Sequence, residues 1–463
     1  MGGEYCLCVV RMNLNRRDFI IQSALATAAT LVLPGCKSSR GGVRRPAPSD
    51  RVNVGVVGFG TIAFTTVPNF LADPRVQIVA VADPVSELGN YGYSGDERGG
   101  RLVGQRAVEG YYAGHATSGR FKGCRVYEDF REMMAREDLD VVYVATPDHW
   151  HCAATLLAAK QGKHIYTQKP LSLTVEEGRR MAQAVADAGV TFQTGSQQRS
   201  SIHFRTACEL VRNGRIGRLK SVKIGFSGGH TNWSKLGDRK QPEAVPPELN
   251  WDLWLGPAPR RDYAPALLQL NWRHNYDYSG GFITDWGAHH LDILQWALGT
   301  DDSGPVAIEN VKATLPPATD LYNTPTEFSF DVVYDNGVRA NVAHNNRNGL
   351  LFEGEDGRTI FVARGILEST PDSVRRERIG PGEVHLYQSQ LHERNFVDCI
   401  YDPRPTAAPV EIGHRSITIA HLANIAIRLG RSSLRWDPAT ETVVGDAQAS
   451  GLLARPMRKE YAV

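Results

Sequence analysis

The sequence predicts an α/β chain: a parallel sheet covered by helices, then an α+β domain on an open, largely antiparallel sheet. Three observations carry this. Short apolar runs alternate with helical stretches between residues 51 and 198. Those runs are nearly continuous in Val, Ile and Ala, as strands buried on both faces require. Beyond residue 199, β-branched runs separated by Asp- or Asn-Gly turns replace that rhythm, which is the pattern of hairpins.

Taken in order, Val52–Val57 reads as a strand, residues 61–72 as a helix and Val76–Ala82 as a second strand. Residues 86–123 form a Gly- and Tyr-rich insertion with some helical potential. A helix is expected over 127–136, with Asp129 as its cap. Strands at 140–145, 163–167 and 190–194 alternate with helices at 151–161 and 174–188. The last of these opens on Thr174-x-x-Glu177, a capping box. In the second domain, residues 219–226, 328–334, 338–343, 350–353 and 359–362 read as strands. Asp335-Asn336-Gly337 and Asp356-Gly357 are hairpin turns. Residues 242–265, rich in Pro and Trp, read as an ordered excursion.

Residues 1–50 read as a signal and tether. Arg16-Arg17-Asp18-Phe19-Ile20 is a twin arginine ahead of an apolar stretch ending at residue 33. That stretch is too short to span a bilayer. It has the charged start, apolar middle and small-residue end of a signal peptide of twin-arginine type. Leu33-Pro34-Gly35-Cys36 resembles a lipoprotein cleavage box, with Cys36 as the lipidated residue. Residues 37–50 read as a flexible tether. The residues before Met12 add nothing to such a signal, so Met12 is the expected start. This reading places the protein in the periplasm, with a lipid as its only hold on the membrane.

Hydrophobic residues at 42% and charged residues at 22% suit two globular domains, expected at 51–198 and 199–463. A net charge of +2 gives no concentrated basic face, so nucleic acid is not an expected partner. Cys124, Cys152, Cys208 and Cys399 are scattered, with no CxxC pair. That argues against zinc and for small buried hydrophobes.

Gly58-x-Gly60-x-x-Ala63 joins the first strand to the first helix. Gly58 allows the tight turn, Gly60 lets the backbone approach a diphosphate, and Ala63 lets helix and strand pack closely. Phe59, Thr61 and Ile62 complete the loop, whose N–H groups face the phosphates at a helix N-terminus. Asp83 ends the second strand, where a carboxylate accepts from adenosine ribose hydroxyls. Its charge repels a 2′-phosphate, so NAD is expected rather than NADP. This is the signature of a Rossmann domain.

Three further segments extend the site. Thr146-Pro147-Asp148-His149-Trp150-His151 follows a strand, where open α/β sheets bind ligands; Thr146, Pro147 and His151 are the cofactor candidates there. Gln168-Lys169-Pro170 closes the next strand. Gly280-Gly281-Phe282-Ile283-Thr284-Asp285-Trp286-Gly287-Ala288-His289-His290-Leu291-Asp292 opens a helix. Together with the glycine loop, these resemble the glucose–fructose oxidoreductase / inositol 2-dehydrogenase family (Gfo/Idh/MocA). The resemblance covers almost the whole chain after residue 50, including the ending from His421-Leu422-Ala423-Asn424 to Trp436-Asp437-Pro438.

The resemblance implies a Rossmann domain beside an open-sheet domain that often makes oligomer contacts, hence a homo-oligomer. It implies that Lys169 of Gln168-Lys169-Pro170 lies beside nicotinamide and substrate, and that Asp285 and His289 are the pair near the substrate. Gln168 stands where the family has glutamate, which alters the contact to the nicotinamide ribose.

The residue chemistry agrees. Oxidising a secondary alcohol needs a base for the hydroxyl proton while hydride leaves. His289 is a base suited to neutral pH. Asp285, four residues earlier on the same helical face, can orient the imidazole. Lys169 can polarise the oxygen. Trp272, Arg273 and Tyr276 suit either sugar faces and hydroxyls or ordinary core packing. A zinc reading of His290 and Asp292 fails because neighbouring helix residues do not face one direction, so no metal is expected.

Three functions follow. The first is an exported oxidoreductase acting on a sugar or polyol, with NAD carried in tightly bound. The second is a redox-neutral glycosidase that oxidises, eliminates and re-reduces. The third is a catalytically silent sugar-binding lipoprotein, a reading that Gln168 favours and that intact Lys169, Asp285 and His289 oppose.

Overall fold

The computed structural model describes residues 50–461 apart from residue 137. The twin arginine, Met12 and Cys36 lie outside the described residues. The first sheet uses β1 (Val52–Val57), β2 (Val76–Ala82), β5 (Arg125–Tyr127), β6 (Val141–Val144), β7 (His164–Thr167) and β8 (Phe192–Thr194). Between β2 and β5, β3 (Leu88–Tyr91) and β4 (Glu97–Gly99) pair as a separate hairpin. The sheet order is β5-β2-β1-β6-β7-β8, parallel throughout. Every residue of β6 is buried, which explains its unbroken apolar run. The order reverses between β1 and β6, the place where such sheets bind ligands.

Two expectations in this half need correction, the extent of one helix and the capping box of another. The helix expected over 127–136 spans only Phe130–Met134. Tyr127 is a strand residue paired with Ala82, and Asp129 sets the start by accepting from the Arg131 N–H at 2.8 Å. The insertion after β2 forms the β3–β4 hairpin and the helix Arg101–His115. The helix Val175–Ala188 carries half of its expected box. Thr174 accepts from the Glu177 N–H, while Glu177 turns to the Leu173 N–H and to Arg455.

The second sheet holds nine strands: β9 (Leu219–Gly225), β10 (Ala307–Thr314), β11 (Glu327–Val333), β12 (Arg339–Ala343), β13 (Gly349–Gly354), β14 (Thr359–Ala363), β15 (Ile366–Thr370), β16 (Leu434–Asp437) and β17 (Thr442–Val443). Their order is β15-β14-β13-β9-β12-β11-β10-β16-β17. Among the described strands of this sheet, only β9 and β12 pair in parallel. β10 escaped the sequence pattern because its register slips between Glu309 and Lys312, with Asn310 at a φ of 53°. A bulge there breaks the alternation that marks a strand.

The helix Val410–Arg428 is buried almost all round. It packs on the helix Gly287–Leu298 and on Val175–Ala188 of the parallel-sheet half. One hydrophobic core therefore runs from Val57 and Val144 through Ile224 to Ile417. The four described cysteines are free and buried within the fold.

Candidate active site

A cavity of about 910 Å³ opens above the C-terminal ends of β1, β6 and β7, with walls from both halves of the fold. At Gly58 φ is 86°, and a Cβ there would stand 2.8 Å from the Ala145 carbonyl oxygen. Among the described residues, no protein acceptor takes the N–H groups of Gly60, Thr61 or Ile62, all of which line the cavity. Three free donors at the entry to the helix Ala63–Ala72 fit a diphosphate. Phe59 departs from expectation. Its N–H donates to Asp83 Oδ2 at 2.8 Å, and its ring is buried in the core beside Val81. Asp83 lines the cavity and also accepts from the Val85 N–H at 2.8 Å. Burial raises its pKa to about 6 against the pull of those two donors. Asp83 thus shapes the glycine loop as well as facing the cofactor half.

Thr146 and Pro147 line the cavity, and Thr146 Oγ1 is buried without a partner among the described residues. His151 does not face the cavity. Its ring lies between the Pro170 carbonyl at 2.7 Å and the Thr146 carbonyl at 3.0 Å. Burial lowers its pKa to about 4, so it braces the two loops from behind and is not a cofactor contact. Gln168 lines the cavity and donates to the Tyr143 hydroxyl at 3.1 Å. A carboxylate reaches the same corner from elsewhere. Glu393, on the helix His392–Tyr401, accepts from the Tyr166 hydroxyl at 3.2 Å and Asn69 at 3.1 Å, and Gln197 bridges Tyr166 and Gln168.

At the other end, Lys169 Nζ donates to Asp285 Oδ1 at 2.6 Å and to the Asp285 carbonyl at 3.0 Å. Arg273 Nε donates to the same Oδ1 at 3.1 Å. Burial opposes ionisation of Asp285, but the charges and hydrogen bonds of Lys169 and Arg273 hold its carboxyl well below the usual range. Lys169 is lowered by burial and by Arg273, with Asp285 opposing.

Asp285 does not orient His289. Trp286 separates the helix Gly281–Asp285 from the helix Gly287–Leu298, so the expected shared face is broken. His289 lines the cavity, and its ring has no protein hydrogen bond among the described residues. Its pKa is depressed well below the ordinary value by burial, then by the charges of Lys169 and Arg364. The base expected to be poised near neutrality is an imidazole that burial and nearby positive charge favour in its neutral form.

Trp272 and Arg273 line the cavity, with the Arg273 guanidinium 4.4 Å from the Trp272 ring centroid. Tyr276 does not line it. The chain turns away after the short helix Gln269–His274, and the Tyr276 hydroxyl donates to Asn424 at 3.1 Å. His290 bonds Asn348, and Asp292 pairs with Arg199.

Sequence reasoning missed three cavity residues. Asp148 lies inside the segment from Thr146 to His151, where the sequence alone does not distinguish it from an exposed turn carboxylate. Its Oδ2 accepts from Ser279 Oγ at 2.6 Å, and burial raises its pKa to about 7. Arg364 and Glu393 sit far away in sequence, in a hairpin turn and a late helix, and no local pattern marks them.

Residues 201–463 match the Gfo/Idh/MocA oxidoreductase family, C-terminal alpha/beta domain. The chain belongs to this family. Residues 108–196 match its NAD-binding Rossmann fold. Among curated relatives of this Gfo/Idh/MocA chain, a 1-carboxy-3-chloro-3,4-dihydroxycyclohexa-1,5-diene dehydrogenase from Comamonas testosteroni is 25% identical over 64% of this chain and 58% of its own. A glycosyl hydrolase family 109 protein from Saccharopolyspora erythraea is 30% identical over 36% of each chain. The chain thus spans about half the length of these relatives or less. The WlbA dehydrogenase of Bordetella pertussis, solved with NADH and UDP-GlcNAcA, shares the fold at a TM-score of 0.56. It is 16% identical, over 84% of this chain and 99% of its own.

Proposed function

We propose that the protein is an exported oxidoreductase that takes hydride from a secondary alcohol of a sugar or polyol and passes it to NAD. The observation that carries the reading is one cavity holding free loop N–H groups at one end and Lys169, Asp285 and His289 at the other. A nicotinamide dinucleotide held by Gly58, Gly60, Thr61, Ile62, Asp83 and Gln168 supplies the hydride acceptor. Two of the three Lys169 ammonium donors bind Asp285, which leaves one for the substrate oxygen. That donor stabilises negative charge as the O–H proton departs. His289, favoured in its unprotonated form by burial and by the charges of Lys169 and Arg364, takes the proton as hydride leaves. The tryptophans around the cavity exclude water and offer flat faces to a sugar ring. The twin arginine and Cys36 support export with the cofactor already bound, since the periplasm has no pool to recycle free NADH.

Asp148 favours a second reading. A carboxyl with a pKa of about 7 is partly protonated at neutral pH, so it can donate to a departing glycosidic oxygen. Oxidation, elimination, addition of water and re-reduction then sum to hydrolysis, with no net hydride gained or lost. The family 109 relative supports this reading.

Mass spectrometry of the ligand released by denaturing purified protein tests the common ground: it should be NAD or NADH. NADH formation on a sugar and polyol panel then favours the first reading. Release of nitrophenol from nitrophenyl glycosides without net NADH favours the second. Protein that neither carries nor takes up a dinucleotide overturns both.

A further inference from the structure

We infer that the substrate carries an anionic group, a carboxylate of the uronic- or aldonic-acid kind, seated on Arg364. The inference rests on the proposed sugar or polyol chemistry and adds the class of sugar. Arg364 occupies the two-residue turn between β14 and β15 and lines the cavity. Its guanidinium lies 4.8 Å from the Trp286 ring centroid. Among the described residues it has no ion pair and no hydrogen bond. Arg364 is itself exposed, so its guanidinium meets both the cavity and solvent, and its partial burial against Trp286 lowers its pKa.

The carboxylate nearest in charge cannot serve it. Asp285 already binds Lys169 at 2.6 Å and Arg273 at 3.1 Å. The reacting end of the cavity therefore carries three cations, Lys169, Arg273 and Arg364, against Asp285 as its firmly ionised carboxylate. Asp148 offsets little, because burial keeps it partly protonated. A neutral sugar leaves this excess of positive charge to be met by solvent at the exposed Arg364, whereas a carboxylate matches the planar fork of an arginine bidentately. Stacking on Trp286 holds the fork in place. Arg364 is also near the reacting centre, since its charge helps depress His289.

The dinucleotide diphosphate has the same oxyanion chemistry and could reach Arg364 from the other side. Tyr93, on the hairpin that covers the glycine loop, stands close enough to feel the Arg364 charge. The substrate is favoured because Arg364 sits on Trp286, between Asp285 and His289 in sequence, while the loop brings its own free N–H groups to the phosphates.

Full-length protein loaded with NAD is titrated with matched pairs: D-glucuronate against D-glucose, D-galacturonate against D-galactose, and D-gluconate against D-glucitol. Calorimetry and cavity-tryptophan fluorescence report binding. At least one acid should bind about tenfold more tightly than its neutral partner, the usual worth of a charged hydrogen bond. The preference should shrink as salt rises. Arg364→Gln should abolish it with NAD affinity unchanged, and Arg364→Lys should restore part of it. Equal or better binding of the neutral partners, or no binding by any acid, overturns the inference. So does an Arg364→Gln variant that loses NAD rather than acid, which assigns the arginine to the diphosphate. Failure of the wild-type protein to take up NAD overturns the oxidoreductase reading, and this inference with it.

Discussion

Asp285 is one carboxylate shared by two buried cations, and that sharing sets what its removal does. Without it, Lys169 and Arg273 face each other with no counter-charge. Asp285→Ala should cost about 3–5 kcal/mol, as breaking a buried ion pair does, read as a lower urea midpoint with an unchanged slope. Asp148 acts through protonation. Its carboxyl binds a proton more tightly in the folded chain, at about 7, than at its ordinary value of 3.8. Its contribution to stability is therefore whole below the ordinary value and is lost as pH rises through about 7. The wild type should lose up to about 4 kcal/mol relative to Asp148→Asn between about pH 4 and pH 8. Parallel pH curves for the two proteins would contradict the buried, titrating carboxyl. In activity, the step near neutrality in kcat/KM should vanish in Asp148→Asn, since His289 is already neutral there.

At the scale of elements, the loop from β1 into the helix Ala63–Ala72 is the most constrained. Gly58→Ala places a methyl against the Ala145 carbonyl at a φ that disfavours L side chains. The variant should keep its far-UV spectrum and be purified without dinucleotide. NAD retained at the wild-type level would contradict the loop's role. This loop was legible in the sequence because its demands are local: a strand, two glycines, a helix and an acid at the next strand end. The same holds for Lys169, which simply closes β7. Where legibility failed, the deciding contacts were distant. Tyr276 is drawn off by Asn424, 148 residues away. His151 is drawn off by the Pro170 carbonyl behind the cavity. Asp285 and His289 keep helical spacing, yet the break at Trp286 aims them at different partners. Glu393, from the helix His392–Tyr401, reaches the Gln168 corner through Tyr166 and Gln197, a connection that only the folded chain displays.

Over the whole molecule, one face of the parallel sheet shares a core with the second sheet, while its other face packs a separate cluster around Phe70, Tyr143 and Tyr166. The helix Val410–Arg428 lies against Val175–Ala188 on one side and Gly287–Leu298 on the other. Arg179 binds Glu411 and Glu441 across the same boundary, and Trp150 donates to the Trp254 carbonyl at 3.1 Å. Cavity walls from both halves follow from this arrangement, because the shared core fixes the helix that carries His289, and the cluster on the other face fixes the helix that carries Glu393 through Phe396 and Val397. Separate domains unfold in steps, whereas a shared core couples them. Of the eight tryptophans, only Trp150 precedes residue 200, so fluorescence reports mainly the second half while far-UV circular dichroism reports both. The two urea curves should coincide in one transition. Residues 50–200 made alone should fail to fold, because the apolar face of Val175–Ala188 loses its cover. Two resolved transitions, or a cooperatively folding N-terminal fragment, would show that each sheet is stable by itself and that the cavity forms by docking.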